Sequence, residues 1–410
     1  MRHHRLGVGI CAVTALALLA GCGGSAGSDS DGPKTITFAA SMLGEPTRGP
    51  QLTALLEKFN ASQDDYVIEP VSIPFASFGT TIFTQLGQGK GPDVIAFDQM
   101  NIYEAADAKL IRPLDDVVKG VDLTAASESL KMDDHQWGVP LDVSNYALIY
   151  NPDLVKKPPT TFEEFKQVAR EQTTAGRYGF AFRTTQAEEA GVWYDLSNFV
   201  YGAGGAWSDD AGNPTINSPQ TVAGVKAFAD VYQAGVIPKG STAADYRRMF
   251  ATGKVAMMID NGGIPTVLRG TNPDIPIAAA PAPFPTQNIG QVMAAIGINA
   301  NTRNAEAAEA FVRWFLGKEA QTTVQGFLGG SLVATPVERT TEELTKSPFV
   351  EVFDAQSEHA RSFIPTGLEV ETPRIRSAVV QAVLNALQSG GDIQQALDGA
   401  QDKAKQLAGK

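Results

Sequence analysis

Asp98, Gln99 and Asn101 follow directly on an apolar run, 93–97, that reads as a buried strand. Carboxylates and amides clustered in this way accept and donate hydrogen bonds in fixed directions, which is what the hydroxyls of a small polar molecule require. The same residue types cap helix N-termini, and Asp98 can do both. A second cluster, Asp142, Ser144 and Asn145, precedes the apolar stretch 147–150, where ligand contact competes with hinge or turn chemistry. A third, Asp260-Asn261-Gly262-Gly263, follows 255–259; its glycines either let backbone approach a ligand or make a plain turn. Ser41, Glu45 and Arg48 lie in the loop after the first strand. Glu45 is suited to accept from a hydroxyl, whereas Arg48 suits an anion or solvent.

Catalytic arrangements find little support. Gly23-Gly24-Ser25-Ala26-Gly27 matches the nucleophile-elbow spacing but has no strand before it. Beyond the first 22 residues only His135 and His359 remain, with no HExxH or CxxC spacing, so no metal site is expected. Gly253-Lys254 lacks the glycine five residues earlier that a phosphate loop needs, and Asp209–Asn213 lacks the closing Glu of a calcium loop. No cofactor is expected. Paired carboxylates acting on a glycoside stay open, since any two can meet in space.

The elements that must position these clusters alternate. Segments 35–40, 66–73, 93–97, 147–150 and 255–259 read as strands. Leu52, Leu55, Leu56 and Phe59 make one helical face, as do Val222, Val225, Phe228 and Tyr232, and helices are expected near 305–319 and twice after Pro373. Thr161-Phe162-Glu163-Glu164 fits a capping box opening a helix to about 171. This alternation predicts an α/β protein with largely parallel sheets. A net charge of −12 argues against nucleic acid, whose phosphates demand a basic surface. It argues equally against a basic face lying on anionic lipid.

The N-terminus carries a basic stretch, 1–5, an apolar stretch, 6–20, too short to span a bilayer, and then Leu19-Ala20-Gly21-Cys22. It resembles a bacterial lipoprotein signal, which implies a signal peptide over 1–21, a lipid on Cys22 and a flexible tether over 22–33. Cys11 would be lost with the signal and no disulfide is expected.

Five stretches, in order, resemble the extracellular solute-binding proteins of ABC importers, sugar type, the family that includes maltodextrin-binding protein. They are Gly91-Pro92-Asp93-Val94-Ile95-Ala96-Phe97-Asp98 with Leu110-Ile111-Arg112-Pro113-Leu114; Trp137-Gly138-Val139-Pro140 with Leu148-Ile149-Tyr150-Asn151-Pro152-Asp153-Leu154; Pro159-Thr160-Thr161-Phe162-Glu163-Glu164-Phe165; Phe250-Ala251-Thr252-Gly253-Lys254-Val255-Ala256-Met257-Met258; and Ala307-Ala308-Glu309-Ala310-Phe311-Val312-Arg313-Trp314-Phe315-Leu316. The resemblance implies a two-lobed periplasmic-binding-protein-like fold with a hinge and an interlobe ligand cleft. By analogy one lobe takes 34–142 plus 292–340 and the other 143–291 plus 341–410. It further implies a monomeric, membrane-anchored, non-enzymatic protein on the extracytoplasmic face that passes a sugar to permease subunits. The alternatives are a tethered carbohydrate-acting enzyme or the ligand-binding subunit of a membrane sensor. A sugar's apolar face needs a flat aromatic partner; the family analogy points to Trp193 and then Tyr194, with Gly330 and Ser331 as further contacts. Trp314, Trp137 and Trp207 read as packing residues. The loop 41–50 has no tryptophan, which thins the aromatic set and leaves a mono- or disaccharide open.

Overall fold

The computed structural model describes residues 32–409. The signal-like segment, Cys22 and tether residues 22–31 lie outside the described residues. Three strand–helix units begin the fold: β1 (Lys34–Ala40) and α1 (Gly49–Ala61), β2 (Tyr66–Ser72) and α2 (Phe75–Gly87), β3 (Val94–Asp98) and α3 (Gln99–Asp107). A long strand, β4 (Val139–Tyr150), then leads to α4 (Phe162–Gln172), β5 (Tyr178–Ala181), α5 (Glu189–Gly202), α6 (Pro219–Gln233), α7 (Ala243–Ala251), β6 (Val255–Asn261), α8 (Ile264–Thr271) and β7 (Ala278–Ala280). A second long strand, β8 (Ile289–Asn299), is followed by α9 (Ala305–Phe315), α10 (Lys318–Leu328), β9 (Ala360–Ser362), α11 (Thr372–Ser389) and α12 (Ile393–Leu407).

The main path of the sheet runs β2-β1-β3-β8-β4-β6-β5. Pairing is parallel between β1 and β2, β1 and β3, and β5 and β6, but antiparallel wherever β4 or β8 meets β3, β6 or its long partner. The expectation of largely parallel sheets therefore needs correction: the two long strands each pass from one half of the molecule to the other. Residues 139–142 of β4 pair with 294–296 of β8 in the first half, and 146–150 pair with β6 in the second. Sequence periodicity picks out only the last four residues of β4, because Asp142, Ser144 and Asn145 interrupt its apolar pattern at the crossing. The register slips between Ala294 and Ala295, so that Leu141 has no counterpart. A bulge of this kind bends the strand and re-aims its neighbours, here Asp142.

Three apolar cores hold the elements. One lies behind the first half, with Ile36, Phe38, Leu52, Leu56 and Phe59 of β1 and α1 meeting Phe311, Phe315 and Leu328 of α9 and α10. Another lies behind the second half, around Ile149, Tyr246, Phe250, Met258 and Phe353. The third runs from Ile82, Ile95 and Phe97 through Val143 and Tyr146 to Trp193, Phe199, Phe228 and Val379, so one continuous layer serves both halves. The segment read as one helix near 305–319 breaks at Leu316 and Gly317, and α10 starts afresh at Lys318. Thr161 does cap α4 by accepting from the Glu164 N–H at 3.2 Å. The reciprocal half of the expected box is absent: the Glu164 carboxylate takes the Thr160 N–H and hydroxyl instead, at 2.8 and 2.9 Å.

Candidate functional site

Asp98 is the last residue of β3 and the N-cap of α3. Its Oδ1 accepts from the Met100 N–H at 3.0 Å, and its Oδ2 accepts from the Tyr194 hydroxyl of α5 at 2.8 Å. The carboxylate is thus a helix cap and a contact to the other half of the molecule at once. Burial pushes the Asp98 carboxyl above the usual carboxylate range, against the pull of Met100, Tyr194 and Arg376. Burial, reinforced by the Asp98 charge, holds the Tyr194 phenol well above its ordinary value. Gln99 is buried, donating through Nε2 to the Ser362 hydroxyl at 3.2 Å. Asn101 sits in the first turn of α3 against α2, where a β-carbon on Gly79 would stand 3.3 Å from its Oδ1.

A second group gathers at the carboxyl end of β1. Ser41 to Gly44 form a 3-10 turn, and Glu45 follows it. Arg48 grips Glu45 through Nε at 2.6 Å and Nη2 at 2.8 Å, and reaches Asp142 Oδ2 through Nη1 at 3.4 Å. Burial opposes the guanidinium charge, but Glu45 and Asp142 outweigh it and raise the Arg48 pKa. Burial also raises Asp142, assisted by the Glu45 charge, while Arg48 and Ser331 pull the other way. Asp142 Oδ1 is buried and has no hydrogen-bond partner in the structure. Such an atom is an acceptor that needs a donor. Beside it, the Ser144 hydroxyl stands 2.9 Å from that of Ser331, donates to Asn261 Oδ1 at 3.3 Å and accepts from the Gly263 N–H at 3.2 Å.

The sheet register ties the two groups together. Ala294 of β8 is paired with Asp98 on one side and with Asp142 on the other. The two residues therefore share one row of the sheet, their backbones two strand spacings or about 10 Å apart. The second half touches this row directly. Tyr194 meets Asp98, a β-carbon on Gly263 would stand 3.1 Å from Arg48 Nη1, and Arg376 of α11 joins Glu189 of α5 at 2.9 Å to Met100 Sδ at 3.0 Å. The open concavity bounded by Lys34, Asp65, Tyr66 and Glu306, about 470 Å³, lies at the opposite end of β1 and holds none of these groups.

Other expected site residues stand elsewhere. Trp193 has no exposed surface: it stacks on Trp207 at 4.4 Å, and its indole N–H donates to the Phe363 carbonyl at 3.0 Å. A helix buried along one face after another leaves that ring in the core, and its neighbour Tyr194 is the one that reaches Asp98. Asp260 is also fully buried. Arg247 donates to both its oxygens, at 2.9 and 3.0 Å, while Tyr246 and the Asn261 N–H add one bond each. Burial works to raise its carboxyl, but the Arg247 and Arg183 charges and the bonds from Arg247 and the Asn261 N–H hold it below the usual range. Asn145 is consumed by Phe353, Ser357 and Gln291. Gly262 bonds through its backbone to Asn145 and Gly330, so its flexibility serves a close crossing of chains. Sequence reasoning missed Arg183 and Asp195, a buried pair joined at 2.7 Å. Burial pushes the Asp195 carboxyl up to about 6, against the pull of Arg183. The available signal was a polar run, Asp195, Ser197 and Asn198, inside an otherwise apolar helix. Among the described residues no cluster of side chains could hold a metal ion, and no helix is long and apolar enough to cross a membrane.

Residues 44–322 match the family described as bacterial extracellular solute-binding protein. The maltotriose-binding protein of Pyrococcus abyssi is 26% identical over 246 residues, covering 55% of this chain and 51% of that one; the match thus spans about half the length of that relative. Among solved structures, an ABC transporter solute-binding protein of Thermotoga lettingae bound with α-D-tagatose superimposes with a TM-score of 0.80 at 19% identity, over 92% of this chain and all of the other. UgpB of Mycobacterium tuberculosis in complex with glycerophosphocholine gives 0.78 at 18% identity, over 92% of this chain and 98% of the other. These structures share the two-lobed fold.

Proposed function

Because the chain belongs to the bacterial extracellular solute-binding protein family, we propose that it captures an uncharged, hydroxyl-rich small molecule, a mono- or oligosaccharide, between its two halves and delivers it to the permease subunits of an ABC importer. The observation that carries this reading is the Asp98–Ala294–Asp142 row. It offers two carboxylates on strands about 10 Å apart, one of them with a buried oxygen that has no donor. Hydroxyl groups supply donors; an ionised phosphodiester group has none. The arginines nearby are already neutralised: Arg48 by Glu45 and Asp142, Arg183 by Asp195 and Glu188, Arg247 by Asp260, and Arg376 by Glu189. An anionic ligand would have to displace those carboxylates, so a sugar like those named for the maltotriose- and tagatose-binding relatives fits better than a phosphodiester like that held by the mycobacterial protein.

Lobe one in this reading takes 34–142 plus 292–340 and lobe two 143–291 plus 341–410, with β4, β8 and the Gly262–Gly330 crossing as hinges. Closure about such hinges is selected by ligand when open and closed states differ by a few kcal/mol. Direct ligand contacts fall to Ser41, Glu45, Asp98, Asn101, Asp142, Tyr194 and Asn261, while Gln99, Asn145, Asp260 and Gly262 hold the walls. A lipid on Cys22 keeps the monomer at the extracytoplasmic face of the cell membrane. Calorimetry against mono- and oligosaccharides and glycerophosphocholine tests the reading. Micromolar binding of a sugar recovered unchanged, worth about 8 kcal/mol, supports it. Tighter binding of the phosphodiester, or turnover of the sugar, contradicts it.

A further inference from the structure

With Trp193 in the core and the Tyr194 ring buried against Phe363, an open aromatic face for a sugar ring has to come from another element. On α2 the stripe Phe78, Ile82 and Leu86 is buried, and Phe75 continues that stripe one turn further, beyond the end of the core. Phe75 is 68% exposed, the one large hydrophobic side chain so exposed among the described residues. Isolated apolar side chains are ordinary on protein surfaces; what sets this one apart is its place. α2 leaves the carboxyl end of β2, where Ser72 is paired with Ala40, the residue before the turn that leads to Glu45. A β-carbon on Gly44 would stand 3.2 Å from the Ser72 hydroxyl oxygen, so the two loops run side by side. Gly79, four residues after Phe75 and hence on the same helix face, packs against Asn101 in the turn capped by Asp98. The exposed first turn of α2, which carries Phe75, thus begins at the carboxyl ends of β1 and β2, beside the edge that carries Glu45, Asn101 and Asp98.

A sugar ring presents hydroxyls at its rim and an apolar C–H face. A flat aromatic ring complements the face while carboxylates and amides take the rim. We propose that Phe75 is the platform on which a ring of the bound sugar lies, and that it gives the site its preference for cyclic sugars. This rests on the sugar-binding reading above. The test is titration of the full-length chain with D-glucose, D-galactose, maltose and maltotriose, comparing it with Phe75→Ala, Phe75→Trp and Asp98→Ala. Because Phe75 is outside the core, thermal melting of its variants should match the unsubstituted chain. The proposal expects Phe75→Ala to weaken the best-bound sugar about tenfold or more and Phe75→Trp to keep or improve it. In Phe75→Trp, the added tryptophan emission should change on sugar addition, after subtraction of the unsubstituted chain's response. If Phe75→Ala binds normally while Asp98→Ala is impaired, the platform is overturned and the sugar-binding reading stands. If the unsubstituted chain binds none of the four sugars, both fall.

Discussion

Asp142 and Asp260 lie on neighbouring strands near the lobe crossing, yet their surroundings are opposite. Asp260 is saturated by Arg247, Tyr246 and a backbone N–H, and its carboxyl is held low. Asp142 has one arginine contact at 3.4 Å, an orphaned oxygen and a raised carboxyl. Removing one partner from a buried pair is costly because it strands the other charge. An acceptor left unsatisfied in the free protein, by contrast, is one whose bonds form only when a donor arrives. The same residue type is therefore saturated by protein partners on one strand and keeps an unpaired oxygen on the next.

Substitutions should separate the two roles. The largest effect is expected on stability: Asp260→Ala strands Arg247 and should cost about 3–5 kcal/mol, read as a lower denaturant midpoint. Asp142→Asn should leave that midpoint nearly unchanged and weaken sugar binding by about tenfold or more, as should Asp98→Ala. Equal destabilisation by Asp142→Asn and Asp260→Ala would erase the contrast.

Acidity sharpens it further. In the proposed site, ligand hydroxyls would donate to ionised Asp98 and Asp142, whose carboxyls burial has raised. Affinity should thus fall as pH drops, beginning above the value of about 3.9 at which an ordinary aspartate titrates. Asp195 supplies the converse in stability. With its carboxyl up to about 6, the folded state holds a proton that the unfolded chain releases, so this group's contribution is present below about pH 4 and is lost as pH rises to about 6. Asp260, held low, works in the other direction and loses its contribution only in stronger acid. A pH series of calorimetric affinities beside denaturant midpoints reads both. The smallest expected change is in sugar affinity on Trp193→Phe, within about twofold, with a measurable loss of stability from the indole's lost hydrogen bond.

Much of the fold was legible because it follows local periodicity. The helix faces Leu52–Phe59 and Val222–Tyr232 and the apolar strands before Asp98 and Asp260 reappear with boundaries shifted by a few residues. The crossing strand β4 was half hidden, since polar residues that sit between two lobes break the alternation expected of a single buried sheet. The site was harder. Asp98 announces itself as a polar residue at a strand end, but nothing local distinguishes Asp142 from Asp260, because their partners Arg48 and Arg247 come from other elements, the first far off in sequence and the second on the preceding helix. Trp193 and Tyr194 are adjacent in sequence, and only helix rotation against Trp207 and Phe363 decides which one faces the crossing. Phe75 was overlooked because the helix that carries it, α2, went unread in the sequence.

A sugar in the proposed site bridges the two carboxylates flanking Ala294. A crystal structure of the protein with its tightest-binding sugar tests it most directly. Sugar hydroxyls are expected at about 2.7 Å from Asp142 Oδ1 and from the Asp98 carboxylate. A sugar bound elsewhere, with Asp142 Oδ1 still lacking a partner, would contradict it.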